Sequence, residues 1–260
     1  MFSEGLMHWE VIRAGADNWS YLLGDPLTHA AAVVDPLNAE EILARLRQGR
    51  WNLVAIFLTH GHPDHTGGCP RLLEATRATV WSHPPDGVTG ARALSDGSEI
   101  EVGSLQVKVL HTPGHTAGSA CYLVEDKFIT GDTVFLAGAG NCLFGGNVDD
   151  LYQSFREKIL PLDPGLGLCP GHDYAENNLC FALSLEPGSD VIQAKLSEAR
   201  KAAAEGGVPA STLAEERRYN PFFRFAEAAL RSALARSFPS LDLSDPAACF
   251  AAIRVLRNSW

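Results

Sequence analysis

The segment Thr59-His60-Gly61-His62-Pro63-Asp64-His65-Thr66-Gly67-Gly68 directly follows the apolar stretch 53–58, Leu-Val-Ala-Ile-Phe-Leu. An apolar run without polar alternation is typical of a strand buried on both faces. Because Pro63 and the glycines disfavour a regular helix, we expect the polar segment to be a loop at the strand end. Three imidazoles and a carboxylate packed on one loop would repel or desolvate one another without a cation. The segment therefore predicts a metal site.

Three further candidate ligands follow strand-like stretches elsewhere, and each lies next to a glycine, which permits tight turns and close approach. They are His115 in His111-Thr-Pro-Gly-His-Thr116, Asp132 in Thr130-Gly-Asp-Thr133 and His172 in Cys169-Pro-Gly-His-Asp173. Two four-coordinate sites need eight contacts, which the seven side chains supply if one carboxylate bridges. We therefore expect two divalent metal ions per chain. Zinc is the expected metal, and iron or manganese are the alternatives that the same ligands accept.

Composition excludes several classes of protein. The 260 residues carry 21 Lys and Arg against 31 Asp and Glu, a formal charge of −10, which disfavours nucleic acid as a partner. A hydrophobic content of 46% predicts a folded core rather than disorder. The longest aliphatic or aromatic run, 53–58, is too short to span a membrane.

The terminal segment and the cysteines bear on the compartment. Met1–Glu10 lacks a basic stretch followed by an apolar one, so we expect a cytoplasmic protein. The six cysteines form no C-x-x-C pair and are expected to be small buried residues rather than a disulfide framework. Residues 1–172 hold 11 basic and 20 acidic side chains, a net −9, so the acid lies with the histidines, as a cation site favours.

The chain divides into two regions of different pattern. Residues 1–172 are predicted to form an α/β domain, and residues 173–260 a smaller helical domain. Periodicity predicts strands at 30–34 and 53–58, hairpins at 100–110 and 120–130, and helices at 39–48, around Leu151, Phe155 and Ile159, and at 191–204, 223–236 and 246–258. The sequence leaves the oligomeric state open.

The spacing H-x-H-x-D-H, followed by a distant His, Asp and His, resembles the metallo-β-lactamase superfamily. The resemblance covers residues 60–172 and implies an αββα sandwich with the metals at one edge. It also implies which side chains hold each ion, with Asp132 as the bridge. The first ion would be held by His60, His62, His115 and Asp132, and the second by Asp64, His65, Asp132 and His172.

The C-terminal region is similar to glyoxalase II, the hydroxyacylglutathione hydrolase family, through Ser211-Thr-Leu-Ala-Glu-Glu216 and Tyr219-Asn-Pro-Phe222. The resemblance implies that Tyr174 contacts the glutathione moiety. It also implies that Arg254 and Arg257, three apart on one helix face, hold the glycine carboxylate. The loop 137–146 departs from the family because it has no basic residue. Asn141 and Phe144 are the candidates to replace the usual glutathione contact there.

The activity implied is hydrolysis of a small-molecule glutathione thioester. S-D-lactoylglutathione or another S-2-hydroxyacylglutathione would give glutathione and a 2-hydroxy acid. Two cations lower the pKa of a shared water towards roughly 7, which provides a nucleophile at neutral pH. The catalytic roles fall to Asp132 as bridge and to Asp64, which also orients the nucleophile. A thiolate leaves without a strong acid, so no Ser-His-Asp or Cys-His arrangement is needed.

Other functions remain open at this point. A mononuclear iron persulfide dioxygenase would use only the first metal set, so the complete second set, Asp64, His65 and His172, argues against it. A lactonase, or a thioesterase for another thiol carrier, could use the same ions. A β-lactamase would not normally have a bridging Asp at position 132. A non-catalytic binding module is the remaining class, although every ligand for water activation is present.

Overall fold

The computed structural model describes residues 7–260, so most of the terminal segment Met1–Glu10 lies outside the described residues. Within them, the first sheet has six strands in sequential order, with β3 to β6 parallel. The parallel strands bring their carboxyl ends to one edge of the sheet. The strands are β1 (His8–Ala14), β2 (Asn18–Gly24), β3 (Ala30–Val34), β4 (Asn52–Phe57), β5 (Thr79–Ser82) and β6 (Arg92–Ala93).

The second sheet is built from two hairpins and one returning strand. Its order is β13-β10-β9-β8-β7, with β13 parallel to β10 and the other pairs antiparallel. A short ribbon, β11 with β12, follows β10. The strands are β7 (Glu99–Val102), β8 (Leu105–His111), β9 (Ala120–Val124), β10 (Lys127–Gly131), β11 (Val134–Phe135), β12 (Gly138–Ala139) and β13 (Gly167–Pro170).

Helices cover the outer face of each sheet. The first helix, Ala39–Gly49, begins where the Asn38 side chain accepts a hydrogen bond from the Glu41 amide, and it has acidic residues in its first turn and Arg47 in its last. The helices are α1 (Ala39–Gly49), α2 (Pro63–Thr66), α3 (Cys69–Ala75), α4 (Val148–Ser154), α5 (Ala175–Leu185), α6 (Asp190–Ala204), α7 (Leu213–Tyr219), α8 (Ala228–Ser237) and α9 (Pro246–Asn258).

Three hydrophobic clusters define four layers. One joins α1 and α3 to the first sheet, through Ile42 and Leu72 against Leu22 and Ile56. A second lies between the two sheets. The third joins the other face of the second sheet to α4 and to the helices after residue 173. This is the αββα sandwich with helical C-terminal segment that the sequence predicts.

Most predicted elements are confirmed to within one or two residues. The strands at 30–34 and 53–58 and both hairpins are present, as are the helices at 39–48, 191–204 and 246–258. The stripe of Leu151, Phe155 and Ile159 belongs to α4 and to the π-helical turn Phe155–Ile159 that continues it. The division at residues 172 and 173 stays a prediction. All six cysteines are free, and four of them are buried. Within the described residues, no helix is both long enough and apolar enough to cross a membrane.

Two predicted elements are wrong in part. The helix at 223–236 begins only at Ala228, because residues 220–227 form turns. The Arg224 side chain binds Glu186 and Glu227 and holds those turns in place. The segment 59–68 is not wholly a loop either, since Pro63–Thr66 forms one helical turn. Proline is compatible with the first helical position, where its missing amide N–H costs nothing.

Candidate metal centre

The seven candidate ligands all follow strands and meet at one edge of the sandwich. His60 and His62 follow β4, and Asp64 and His65 lie on the short helix α2. The remaining three follow β8, β10 and β13, as His115, Asp132 and His172. The loop of His172 approaches Asp132 closely because the residue before His172 is Gly171. A Cβ atom added at Gly171 would lie 2.5 Å from Asp132 Oδ1. The structure therefore brings together residues separated by more than one hundred positions.

Three histidines form a first cluster. His62 Nδ1 lies 2.9 Å from His60 Nε2 and 3.2 Å from His115 Nε2. His60 and His115 are buried, with 1% and 2% of their surface exposed. Three imidazole nitrogens directed at one point are a ligand set for a transition-metal ion or zinc.

A second cluster lies beside the first. His172 Nε2 is 3.2 Å from His65 Nε2 and 3.3 Å from Asp64 Oδ2. Asp64 Oδ2 is 3.6 Å from His65 Nε2. One carboxylate and two imidazoles again supply donors suited to a divalent ion.

Asp132 lies between the two clusters. Its Oδ2 atom is 3.5 Å from both His115 Nε2 and His172 Nε2, and its Oδ1 atom is 3.4 Å from His65 Nε2. Oδ1 is buried and has no hydrogen-bond partner among the described residues. A buried carboxylate oxygen without a donor is costly, and a cation between the clusters would satisfy it. The residues present therefore fit a metal group.

Hydrogen bonds on the far side of the imidazole rings aim the other nitrogens inward. His65 Nδ1 donates to Asp35 Oδ2 at 2.9 Å, and His172 Nδ1 donates to Asp17 Oδ1 at 3.0 Å. His115 Nδ1 donates to the Asn141 carbonyl at 2.7 Å. These acceptors fix the tautomers that leave Nε2 free to coordinate.

Hydrogen bonds from outside the centre also orient the His60 ring and the Asp64 carboxylate. The Thr59 hydroxyl donates to Asp35 Oδ2 at 2.6 Å and so accepts from His60 Nδ1 at 3.1 Å. Asn18 donates its amide to Asp64 Oδ2 at 3.1 Å. Sequence reasoning missed Asp17, Asn18 and Asp35. Their only signal is that a polar residue stands next to a strand end.

Electrostatics within the centre favour the presence of a cation, either a proton or a metal ion. Burial lowers the pKa of His60 and of His115, which keeps both rings neutral near pH 7. The pKa of Asp64 is lowered, chiefly by its hydrogen bond with His172. Burial opposes the charge of His172, but the carboxylates of Asp132 and Asp64 outweigh it and raise that pKa to about 11. Anionic surroundings that attract a proton this strongly also attract a metal ion.

Four of the five predicted glutathione-binding residues line a cavity of about 190 Å³ beside the centre. Tyr174 connects the two, because its ring stacks on His172 at 4.9 Å between centroids. Asn141, Arg254 and Arg257 also line the cavity. Phe144 does not. It is 68% exposed and meets the His62 ring edge-on, at 6.5 Å between centroids.

The two arginines differ in their surroundings. Arg257 donates through Nε and Nη2 to Asn178 Oδ1, at 3.1 and 3.0 Å, and faces the cavity. Arg254 is 5% exposed and donates Nη1 to the carbonyls of Ala139 and Gly140, at 2.6 and 3.1 Å. Burial and the neighbouring Arg257 lower the pKa of Arg254 to about 10.

This fold with this site defines the class of protein. The family profile described as "Metallo-beta-lactamase superfamily" matches residues 15–172. A crystal structure of ETHE1 from Myxococcus xanthus superposes on the chain with a TM-score of 0.66. The two are 27% identical, and the match covers 97% of this chain and 99% of that one. The chain has the metallo-β-lactamase fold.

Residues 173–260 and the similarity over the full chain show which family of this superfamily the chain belongs to. A second profile, "Hydroxyacylglutathione hydrolase C-terminus", matches residues 173–260. Curated proteins named hydroxyacylglutathione hydrolase from Anaeromyxobacter dehalogenans and Nitrosococcus oceani are 43% and 37% identical to this chain. These matches cover 95% and 94% of this chain and 97% and 95% of the relatives. The chain belongs to the hydroxyacylglutathione hydrolase family of the metallo-β-lactamase superfamily.

Proposed function

We propose that the chain hydrolyses S-2-hydroxyacylglutathione thioesters, such as S-D-lactoylglutathione, to glutathione and a 2-hydroxy acid. One observation carries the proposal. Two His/Asp clusters that share Asp132 adjoin a cavity lined by Tyr174 and Arg257. The names of the relatives, hydroxyacylglutathione hydrolases, support the same substrate class.

We further propose that two divalent ions, zinc in the first instance, occupy the centre. The first would be held by His60, His62, His115 and Asp132, and the second by Asp64, His65, Asp132 and His172. Such ions would supply Lewis acidity and would lower the pKa of a water molecule towards about 7. The carboxylate of Asp132 reaches histidines of both clusters, which suits a bridging role.

The chain's own residues bind and orient the reactants. Asp64 stays ionised, is held by the Asn18 amide, and so can accept a hydrogen bond from the attacking water and direct it. A thiol of pKa near 8.5 is a good leaving group as its thiolate, so the protein needs no strong acid. Arg257 offers its guanidinium to the terminal carboxylate of glutathione, and Tyr174, which lines the cavity and stacks on His172, would contact the glutathione moiety beside the centre.

A thioester panel tests the proposal, with metal analysis of the same sample. We expect rapid hydrolysis of S-D-lactoylglutathione, slower hydrolysis of acyl esters of other thiols, loss of activity after chelation and recovery on metal addition. Asp132→Asn removes the shared anionic ligand, so both ions should be lost or displaced. Outer-shell changes alone cost about 10–100-fold, so we expect its activity to fall by more than about a hundredfold. Full metal content and activity in that variant would refute the assignment.

The similarity to ETHE1 over nearly the whole chain favours a second candidate, a mononuclear iron persulfide dioxygenase. The second cluster, Asp64, His65 and His172, and the C-terminal match at 173–260 argue against it. Oxygen uptake with glutathione persulfide discriminates between the two. Uptake without thioester hydrolysis would replace the proposed function by this one.

A further inference from the structure

We propose that Asp86 is a positioning residue that holds together the two loops of the first cluster, and so controls the affinity of one ion only. Asp86 ends the 3-10 turn Pro84–Asp86, which follows β5 at the same sheet edge as the metal centre. Among the described residues, its side chain makes no hydrogen bond to any of the seven candidate ligand side chains. The inference rests on the proposed two-ion centre.

The carboxylate of Asp86 accepts hydrogen bonds from both loops. Its Oδ2 atom accepts from the Gly61 amide at 2.9 Å and from the Thr116 hydroxyl at 3.1 Å. Its Oδ1 atom accepts from the Gly118 amide at 2.9 Å. Gly61 stands between His60 and His62, and Thr116 directly follows His115. One side chain therefore fixes the spacing between the loop of His60 and His62 and the loop of His115.

The close approach depends on glycine at both amide donors. A Cβ atom at Gly118 would lie 2.5 Å from Asp86 Cγ, and one at Gly61 would lie 3.0 Å from the Asp86 carbonyl oxygen. Thr116 is held in turn by Ser119, whose Oγ atom lies 2.8 Å from the Thr116 hydroxyl. Both loops are thus shaped to present donors to this carboxylate.

The second cluster is held by other residues. His65, His172 and Asp64 are oriented through Asp35, Asp17 and Asn18, respectively. None of these contacts includes Asp86 or the loop 116–118. Loosening the Asp86 contacts should therefore weaken the binding of the first ion and leave the binding of the second unchanged. A general loss of stability would weaken the binding of both ions.

The test is a chelator-competition titration of metal-loaded wild type and Asp86→Asn, which gives a dissociation constant for each ion. An amide in place of the carboxylate presents an NH₂ group to amide donors, so at least one hydrogen bond is lost. We expect one dissociation constant to rise by about 10–100-fold, the usual cost of an outer-shell partner, and the other to change by less than about threefold. Cobalt-loaded His115→Ala gives a reference absorption spectrum for loss of the first ion.

Asp25→Asn is the matched control. Asp25 also joins two loops, accepting from the amides of Leu27 and Ser104 and from the Thr28 hydroxyl, but it lies away from the centre. We expect it to lose stability while both dissociation constants stay unchanged. Thr116→Val leaves both amide contacts of Asp86 in place and should raise the dissociation constant of the same ion by a smaller factor. This variant replaces Asp86→Asn in the test if Asp86→Asn does not fold.

The outcomes separate this inference from the proposed function. If wild type binds two ions and Asp86→Asn binds both as tightly, or loses both equally, the inference is wrong and the function stands. If wild type binds two ions but cleaves no thioester, the function is wrong and the metal measurement still decides the role of Asp86. Loss of the first ion alone, with the spectrum of His115→Ala, supports the inference.

Discussion

The directions of three imidazoles, those of His65, His115 and His172, are set by partners outside the centre. His65, His115 and His172 donate their Nδ1 protons to oxygen atoms of Asp35, Asn141 and Asp17. Each then offers an Nε2 lone pair inward, whereas His62 offers Nδ1. A ligand held in one tautomer and one orientation loses less entropy on binding an ion. The partners of the histidines therefore belong to the function as much as the ligands do.

Arg257→Ala tests the predicted contact with the glutathione carboxylate. A charge-assisted hydrogen bond contributes about 1.5–3 kcal/mol, so KM should rise by about 10–100-fold. In the proposed complex the thioester would lie at the metal centre and Arg257 would hold the other end of glutathione, so kcat should change by less than about threefold. Steady-state kinetics with S-D-lactoylglutathione measure both constants. Arg200→Ala is the control, because the Arg200 side chain is 55% exposed and pairs with Glu176 at the surface. An unchanged KM in Arg257→Ala would remove this residue from the site.

Four of the seven candidate ligands could be named because three imidazoles and a carboxylate are unusual within six positions, and the other three because each stands next to a glycine after a strand-like stretch. The roles of Asp35 and Asp86 could not be predicted from the sequence, although each carboxylate accepts three hydrogen bonds at the edge of the centre. Both residues follow parallel strands. Their donors come from segments at least 24 positions away in sequence. Single acidic residues after strands are common, so only the tertiary structure distinguishes these two.

Among the elements, the loop that follows Asp132 is held in part by side chains from the C-terminal region. Glu216 accepts from the Ala137 amide at 2.9 Å, and Asn220 donates to the Gly138 carbonyl at 3.1 Å. Arg254 donates to the carbonyls of Ala139 and Gly140. Glu216 is fully buried, and burial raises its pKa. The segment Ser211–Phe222, on which the family resemblance rests, thus supports the loop beside the site.

Hairpins and amphipathic helices were predicted well because their apolar residues recur with period two or 3.6. The turns at 220–227 were not predicted, because part of this segment has the composition of a helix. Their shape is set by Arg224, which binds Glu186 at 2.6 Å. Contacts between elements distant in sequence override local propensity in such cases. The helical turn at α2, which the sequence predicts as a loop, is also contacted from a distant strand, because Asn18 of β2 donates to the Asp64 carbonyl at 3.3 Å.

Asp25 connects the end of β2 to the β7–β8 turn, and its titration predicts an acid dependence of stability. Its pKa is lowered from 3.8 to about 2, first by the Thr28 hydroxyl and then by the Ser104 and Leu27 amides, which outweigh burial. Because the folded pKa lies below the unfolded one, this contribution is present above about pH 4 and is lost as pH falls towards 2. Urea unfolding from pH 7 to 3 should show Asp25→Asn less stable at pH 7, with the gap to wild type narrowing in acid. A constant gap would contradict the assignment.

The four layers share packing across the predicted domain boundary. Phe128 of β10, Leu151 of α4 and Phe155 lie in the same hydrophobic cluster as Phe181, Phe222 and Phe250. A core of this kind couples the sheet to the C-terminal helices. The two regions that the sequence divides by pattern are therefore expected to unfold together. The cavity beside the metal centre, lined by residues from both regions, then keeps its shape only while both are folded.

Phe250→Ala measures that coupling. The ring is fully buried and lies 5.2 Å from both Phe155 and Phe222, between centroids. Removing a buried phenylalanine costs about 3–5 kcal/mol, and this loss should appear equally in hydrogen-exchange protection of β10 and of α9. Phe144→Ala, at an exposed ring, should change the free energy of unfolding by less than about 0.5 kcal/mol. If Phe250→Ala lowers protection in α9 and leaves β10 unchanged, residues 1–172 and 173–260 are separate folding units, and the cavity between them depends on docking rather than on a common core.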